Sequence, residues 1–437
     1  GAAEPGAAAE AKAAPLEEAP GAASPGTAAE DEQDPEAGLT KRRGRRKKFA
    51  GRQIEITGRM VPLLGLGACC LCCCCMIGGC IALIMVFAVK AKISPGAPWE
   101  CLDIPSLPGH PAIEEHHVET RDGIRLTMWR VPGNVSRPVL IMSGLECSSR
   151  DWFCGLDSEA LPWMLWREGF DVWLGNNRGN FLTDTRHWNW TFVEMADIDL
   201  PAMVQAVVAE TQAPCISYVG HSQGALQAFM HFSENATAAA RICHFAALAP
   251  AVYLTQRRYT WNVLSGAHLD DITSLATARP GTPFTTYEEM QRDKCYAQSY
   301  VGLCWDCAND MGGSHMPADR GFGGACWEKF LCIPAGTSSD NIRAFADSLR
   351  IGSFQEYLAG LAREINFTAL DVGVTLAVGD ADLFMQPADV QRIRSECRAG
   401  LVHPTWVLPG FGHMDLVWGE EAPRLLYRPL VDRLLAL

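Results

Sequence analysis

The sequence predicts an α/β fold, a mostly parallel sheet with helices on both faces, set behind one membrane-crossing segment. Three observations carry this. Short, nearly continuous apolar runs alternate with helical stretches beyond about residue 100; a Gly-x-Ser-x-Gly string sits where one such run meets a helix; and 29 consecutive residues, Val61 to Val89, carry no charge. The chain has 437 residues, a net charge of −13, 18 Cys and 48% hydrophobic residues. That length excludes a lone small module, and the acidic balance argues against nucleic acid as a partner.

Residues 1–40 hold nine acidic residues against Lys12 alone and no aromatic side chain. Such a composition cannot bury enough apolar surface to offset the entropy of ordering, so a disordered Ala/Pro/Glu-rich tail is expected. The chain begins with Gly1 rather than Met, as a fragment or processed product would. Residues 41–60 form a basic segment that includes KRRGRRKK at 41–48. Alone, that run fits a nuclear address, a nucleic-acid arm or a solvated surface; its neighbour decides. Residues 61–89 exceed the roughly 20 residues needed to cross a bilayer. A buried core helix is seldom uncharged for so long, and a signal peptide has a shorter apolar core nearer the N-terminus. Nine Lys or Arg lie between Lys41 and Met60, against Lys90 and Lys92 just beyond the span, so the positive-inside rule places the N-terminus in the cytoplasm. Everything after residue 92 is then expected to be lumenal or extracellular.

That topology gives meaning to four N-glycosylation sequons, at Asn134, Asn189, Asn235 and Asn366. It also divides the cysteines. Seven (69, 70, 72 to 75 and 80) lie in the span, and Cys69 to Cys75 sit toward its basic end, where they suit either S-palmitoylation or helix packing. Eleven lie beyond it, candidates for disulfides in an oxidising lumen. Cys304, Cys307, Cys326 and Cys332 have a loosely zinc-like spacing, but the second pair is not CxxC and no His joins the cluster. Disulfides are the better reading there, and no metal is expected.

Strands are predicted at 138–145, 170–176, 215–222, 244–251, 374–380 and 405–409. Helical stretches such as DLPAMVQAVVAETQ and RLLYRPLVDRLL separate or follow them. Apolar strands interleaved with helices imply a sheet covered on both sides. Residues 252–365 break the rhythm and read as an insertion within a domain of residues 100–437. It carries Trp261, Phe284, Tyr287, Tyr296, Tyr300, Trp305, Trp327 and Phe330, which suit either a cap over a site or packing within a helical subdomain.

The chemistry centres on Gly220-His221-Ser222-Gln223-Gly224, between the run CISYV and the helical QGALQAFMHF. Gly220 and Gly224 permit a tight strand-to-helix turn that projects Ser222 above the sheet. As a bare string the match is weak, with about 0.2 expected by chance, and its position carries the argument. A serine so placed needs a histidine and an acid at the ends of later strands. His403 begins its strand, at the opposite edge of the sheet, whereas His413 follows TWVLPGFG and would stand in the loop above Ser222. His413 is therefore the candidate base. Within GDADLF, Asp380 and Asp382 compete as the acid, and spacing alone does not separate them.

These residues resemble the acid lipase family of α/β-hydrolases, the group of lysosomal acid lipase and gastric lipase, over about residues 108–428. GHPAIEEHHVETRDGIRLTMWRVP, WLGNNRGN, FVEMADIDLPA, GHSQG, PAGTSSDN and FGHMDLVWG are similar to successive motifs of that family. DADLFMQPADV is similar to a family segment in which the acid precedes Leu and comes five residues before Pro, and this selects Asp382. The resemblance implies an α/β-hydrolase fold and ester hydrolysis of lipids, of the triacylglycerol lipase or sterol esterase type, through Ser222, His413 and Asp382. No cofactor is implied. The backbone N–H groups of Leu145 and Gln223 would bind the oxyanion. Where the family has His-Gly-Leu, this chain has Ser143-Gly144-Leu145, which leaves the role of residue 143 open. Residues 295–332 are also richer in Cys and Gly than the family pattern. Two other readings compete: a carboxylesterase or thioesterase acting on non-lipid esters, and a membrane-tethered, non-catalytic binding protein on a hydrolase scaffold.

Overall fold

A computed structural model describes residues 17–18, 108–153, 157–255, 280–284 and 335–437. The expected span at 61–89, its cysteines, Cys304 to Cys332 and most of the insertion lie outside those residues. Among the described residues, no helix is long and apolar enough to cross a membrane.

The sheet contains β1 (Glu17–Glu18), β2 (Glu114–Glu119), β3 (Arg125–Val131), β4 (Asn134–Met142), β5 (Phe170–Gly175), β6 (Ile216–His221), β7 (Ile242–Leu248), β10 (Val374–Gly379) and β11 (Val402–Leu408). Their spatial order is β1-β11-β10-β7-β6-β4-β5-β3-β2. Strands β4 to β7, β10 and β11 pair in parallel, whereas β3 runs antiparallel to both β2 and β5. Every residue of β5, β6 and β10 is buried, so both faces of the sheet centre are covered, as the unbroken apolar runs predict. Edge strand β2 instead alternates between exposed and half-buried residues. The predicted strands are found, with ends shifted by up to four residues where a loop or turn begins.

Two residues of the tail qualify the expectation for 1–40. Glu17↔Trp406 and Glu18↔Val407 register β1 in parallel against β11. Composition denies this segment a core of its own, but pairing on a sheet edge uses only backbone groups and needs no burial.

Local sequence explains the elements around the sheet centre. The helix Leu161–Arg167 opens with Pro162 in its first turn and gives way at Gly169, φ 87°, to β5. The helix Leu200–Thr211 likewise carries Pro201 in its first turn and stops at Gln212, φ 55°. Of the insertion, β8 (Pro283–Phe284) pairs antiparallel with β9 (Thr337–Ser338), and the helices Ser339–Ile351 and Phe354–Gly360 follow. Phe345 and Phe354 pack edge-on against Phe192 at 5.6 and 5.4 Å between ring centroids. At the end of the sheet away from the strand C-termini, Cys215 and Cys243 form a disulfide with Cα atoms 5.3 Å apart.

Three of the sequence motifs meet in the core. Fully buried Arg178, from WLGNNRGN, contacts Asp199, from FVEMADIDLPA, at 2.7 Å and Asp122 of the β2–β3 turn at 2.8 Å. Burial pushes the Asp199 carboxyl up, against the pull of Arg178, to about 6.

Candidate active site

Ser222 stands between β6 and the helix Gln223–Glu234 with φ 52° and ψ −115°. A non-glycine residue in that region is strained by roughly 1–3 kcal/mol and persists only where its surroundings enforce it. Here they do. The Ser222 N–H donates to the Leu248 carbonyl at 2.9 Å, and the Ser222 carbonyl accepts from Ala225 and Leu226, both at 3.1 Å. Both flanking glycines are required by close approach: a Cβ at Gly220 would lie 2.8 Å from the Ala225 nitrogen, and one at Gly224 would lie 2.7 Å from the Met142 carbonyl oxygen.

His413 follows β11 and a turn through Gly410 and Gly412. Its Nδ1 lies 2.8 Å from Asp382 Oδ2. The carboxylate accepts, so Nδ1 carries the proton and Nε2 presents its lone pair. Asp382 is fully buried, and its other oxygen accepts from the Phe384 and Met385 N–H groups at 2.8 and 3.0 Å. The two candidate acids are thus distinguished by contact. Asp380 is exposed and accepts from the Gly410 N–H at 2.6 Å, supporting the turn that carries the histidine. His403 is exposed at the start of β11, and its carbonyl accepts from Thr375 Oγ1 at 3.2 Å.

The segment after β4 lies directly against the serine. A Cβ at Gly144 would sit 3.1 Å from Ser222 Cβ and 3.5 Å from its Oγ. Ser143 points away from that contact: Trp152 Nε1–H donates to Ser143 Oγ at 3.0 Å, and Ser143 Oγ donates to the Ser148 carbonyl at 2.7 Å. The residue that departs from the family pattern therefore closes the loop 143–148 on itself. Asn176 Oδ1 accepts from the Ser149 N–H at 2.9 Å, and Asn180 Nδ2 donates to the Cys147 carbonyl at 3.1 Å, so WLGNNRGN holds the same loop from outside. The N–H groups of Leu145 and Gln223 meet no acceptor among the described residues. Gln223 is the first residue of a 12-residue helix, where the helix dipole favours negative charge.

Three buried groups here were not singled out from the sequence. His221, inside GHSQG, donates through Nε2–H to the His413 carbonyl at 3.0 Å, with the two rings 4.7 Å apart. Burial first, and then the neighbouring His413, pull its pKa well below that of an ordinary histidine, so it stays neutral. Asp151, beneath the loop, accepts from the Ser148 N–H at 2.6 Å, and burial raises its pKa to about 7. Asn341 reaches Gln223 from the far side of the insertion. The only sequence signal for His221 and Asn341 was membership in a motif, and Asp151 had none, since their contacts are remote or involve backbone.

Two family models match. One, for a partial alpha/beta-hydrolase lipase region, covers residues 111–156; the other, for the alpha/beta hydrolase fold, covers residues 137–266. Human gastric triacylglycerol lipase is 29% identical over 374 residues, spanning 78% of this chain and 93% of its own. Human lipase member K is 28% identical over 372 residues, spanning 77% and 91%. Among solved structures, an esterase from Exiguobacterium antarcticum superposes with a TM-score of 0.50 at 14% identity, covering 74% of this chain and 99% of its own. This chain has the α/β-hydrolase fold, and its sequence is similar to those of lipases of that fold.

Proposed function

We propose that the protein cleaves carboxylic esters of lipids through an acyl-enzyme formed on Ser222, with His413 as general base and Asp382 as its orienting acid. That it is a carboxylic ester hydrolase of lipids rests on the lipase relatives and the family models. The assignment of roles is carried by one observation: the 2.8 Å contact of His413 Nδ1 with buried Asp382, in the loop whose backbone is tied to the residue preceding strained Ser222. His413 Nε2 takes the Ser222 proton as Oγ attacks the ester carbonyl. The charge that develops on the carbonyl oxygen is met by the N–H groups of Leu145 and Gln223, each such donor contributing about 10²–10³ in rate. The protonated His413 then gives its proton to the departing alcohol. A water, deprotonated by His413, attacks the acyl-enzyme and releases the fatty acid, restoring Ser222.

The finer reading is of a triacylglycerol lipase or sterol esterase acting in lipid catabolism, anchored by residues 61–89 with its catalytic domain in the secretory or endolysosomal system. The uncharged span, its basic flank and four sequons support that placement, whereas the pairing of Glu17–Glu18 with β11, which needs the tail and the catalytic domain on one side of a membrane, opposes it. All four sequon asparagines are exposed. A fluorophosphonate probe should label the wild-type protein covalently and leave Ser222→Ala unlabelled; absence of labelling in folded wild type would sink the catalytic reading. Triolein, a cholesteryl ester and a short-chain ester compared at pH 5 and 8 then define the substrate class.

A further inference from the structure

The two backbone groups assigned above to the oxyanion come from segments 78 positions apart in sequence, Leu145 after β4 and Gln223 at a helix start. No covalent feature fixes the distance between them, yet oxyanion binding depends on that distance. Residues 335–341, Ala-Gly-Thr-Ser-Ser-Asp-Asn, reach both. On one side, the Ala335 N–H donates to the Glu146 carbonyl at 2.6 Å and the Gly336 N–H to Glu146 Oε2 at 3.3 Å. Glu146 directly follows Leu145 and is held with φ 60°. On the other side, fully buried Asn341 donates through Nδ2 to Gln223 Oε1 at 3.1 Å and to Thr337 Oγ1 at 3.0 Å. The segment between is held by further hydrogen bonds. Ser338 caps the following helix by accepting from the Asn341 N–H at 3.0 Å and donates to the Trp190 carbonyl. The Ala335 carbonyl accepts from the Phe181 N–H at 2.8 Å.

We propose that residues 335–341 form a clamp that sets the separation of the two oxyanion donors, and that Asn341 is a positioning residue for turnover. The proposal rests on Leu145 and Gln223 being those donors. Seven residues bridge the loop bearing one donor and the side chain of the other, so a change at either end moves one N–H relative to the other. Oxyanion stabilisation is felt in the transition state and hardly at all in the ground state, so the clamp acts on kcat and leaves KM nearly unchanged.

The test uses the full-length protein and a soluble short-chain ester. Asn341→Leu removes the amide at nearly constant volume; kcat should fall about 10- to 100-fold, as displacements of about 1 Å do, with KM within about twofold. Fluorophosphonate should still label Ser222 to the same final stoichiometry, but more slowly. Gln223→Met keeps the backbone donor and removes the other half of the contact, so N341L, Q223M and their double variant should be non-additive. Where N341L does not fold, by thermal unfolding, N341A replaces it, which also lacks the amide donor and adds no bulk. Full kcat in a folded variant, an effect on KM alone, or additive effects in the cycle would each overturn the clamp. Failure of wild type to be labelled at all would instead overturn the underlying assignment of Ser222.

Discussion

Asp382 is separated from His413 by 31 positions and touches it at 2.8 Å, whereas Asp380, two residues away, supports the adjacent turn. Asp382→Asn should therefore lower kcat by about 10³–10⁴, because an amide no longer holds the proton on Nδ1; Asp380→Asn should leave kcat within severalfold. Steady-state kinetics on one ester separates the two. Asp151 is a residue of a different kind. Its folded pKa, about 7, lies above the ordinary value of 3.8. Its stabilising contribution is thus complete below about pH 4 and is lost as pH rises through 7. Asp151→Asn, which keeps an acceptor for the Ser148 N–H, lacks that titration. Measured by denaturant unfolding, wild type should lose stability relative to the variant between pH 4 and pH 7.5, by up to about 4 kcal/mol. A constant difference across that range would contradict the assignment.

At the scale of elements, the strand-to-helix turn at Ser222 is built at the C-terminal ends of parallel strands, and the Cys215–Cys243 disulfide closes the other ends of β6 and β7. The staple and the site therefore act independently. Replacing both cysteines with Ala should lower stability by about 2–4 kcal/mol, seen as a drop in Tm, with kcat unchanged while the protein stays folded. The element also shows what a string can convey. GHSQG was legible because two glycines and a junction describe a local turn. That His221 lies against His413, or that Gly144 lies against Ser222, was not, since each contact joins segments far apart in sequence.

For the whole molecule, the uncharged span and its basic flank predict a lumenal catalytic domain. Pairing of Glu17–Glu18 with β11 instead requires the tail and that domain on the same side of any membrane. One crossing by 61–89 excludes this within a single molecule. Expression in a eukaryotic cell distinguishes them: endoglycosidase treatment should reduce the mass of the lumenal form, and intact vesicles should shield the domain, but not the tail, from protease. No mass shift would contradict the lumenal placement.

Legible in the sequence alone were the α/β class, the positions of six sheet strands to within a few residues, Ser222 and His413 as candidates, and the uncharged span. Each is written in a local property: an apolar run, a glycine pair, an absence of charge, a residue's place after a strand. Resemblance was needed to prefer Asp382 over Asp380, because spacing could not. It took the fold to show that Ser143 turns inward to Trp152, that Arg178 joins three motifs by pairing with Asp122 and Asp199, and that Asn341 reaches Gln223. Those contacts join residues from nine to 118 positions apart, brought into hydrogen-bonding distance by the sheet and its loops, and no local pattern encodes such a distance.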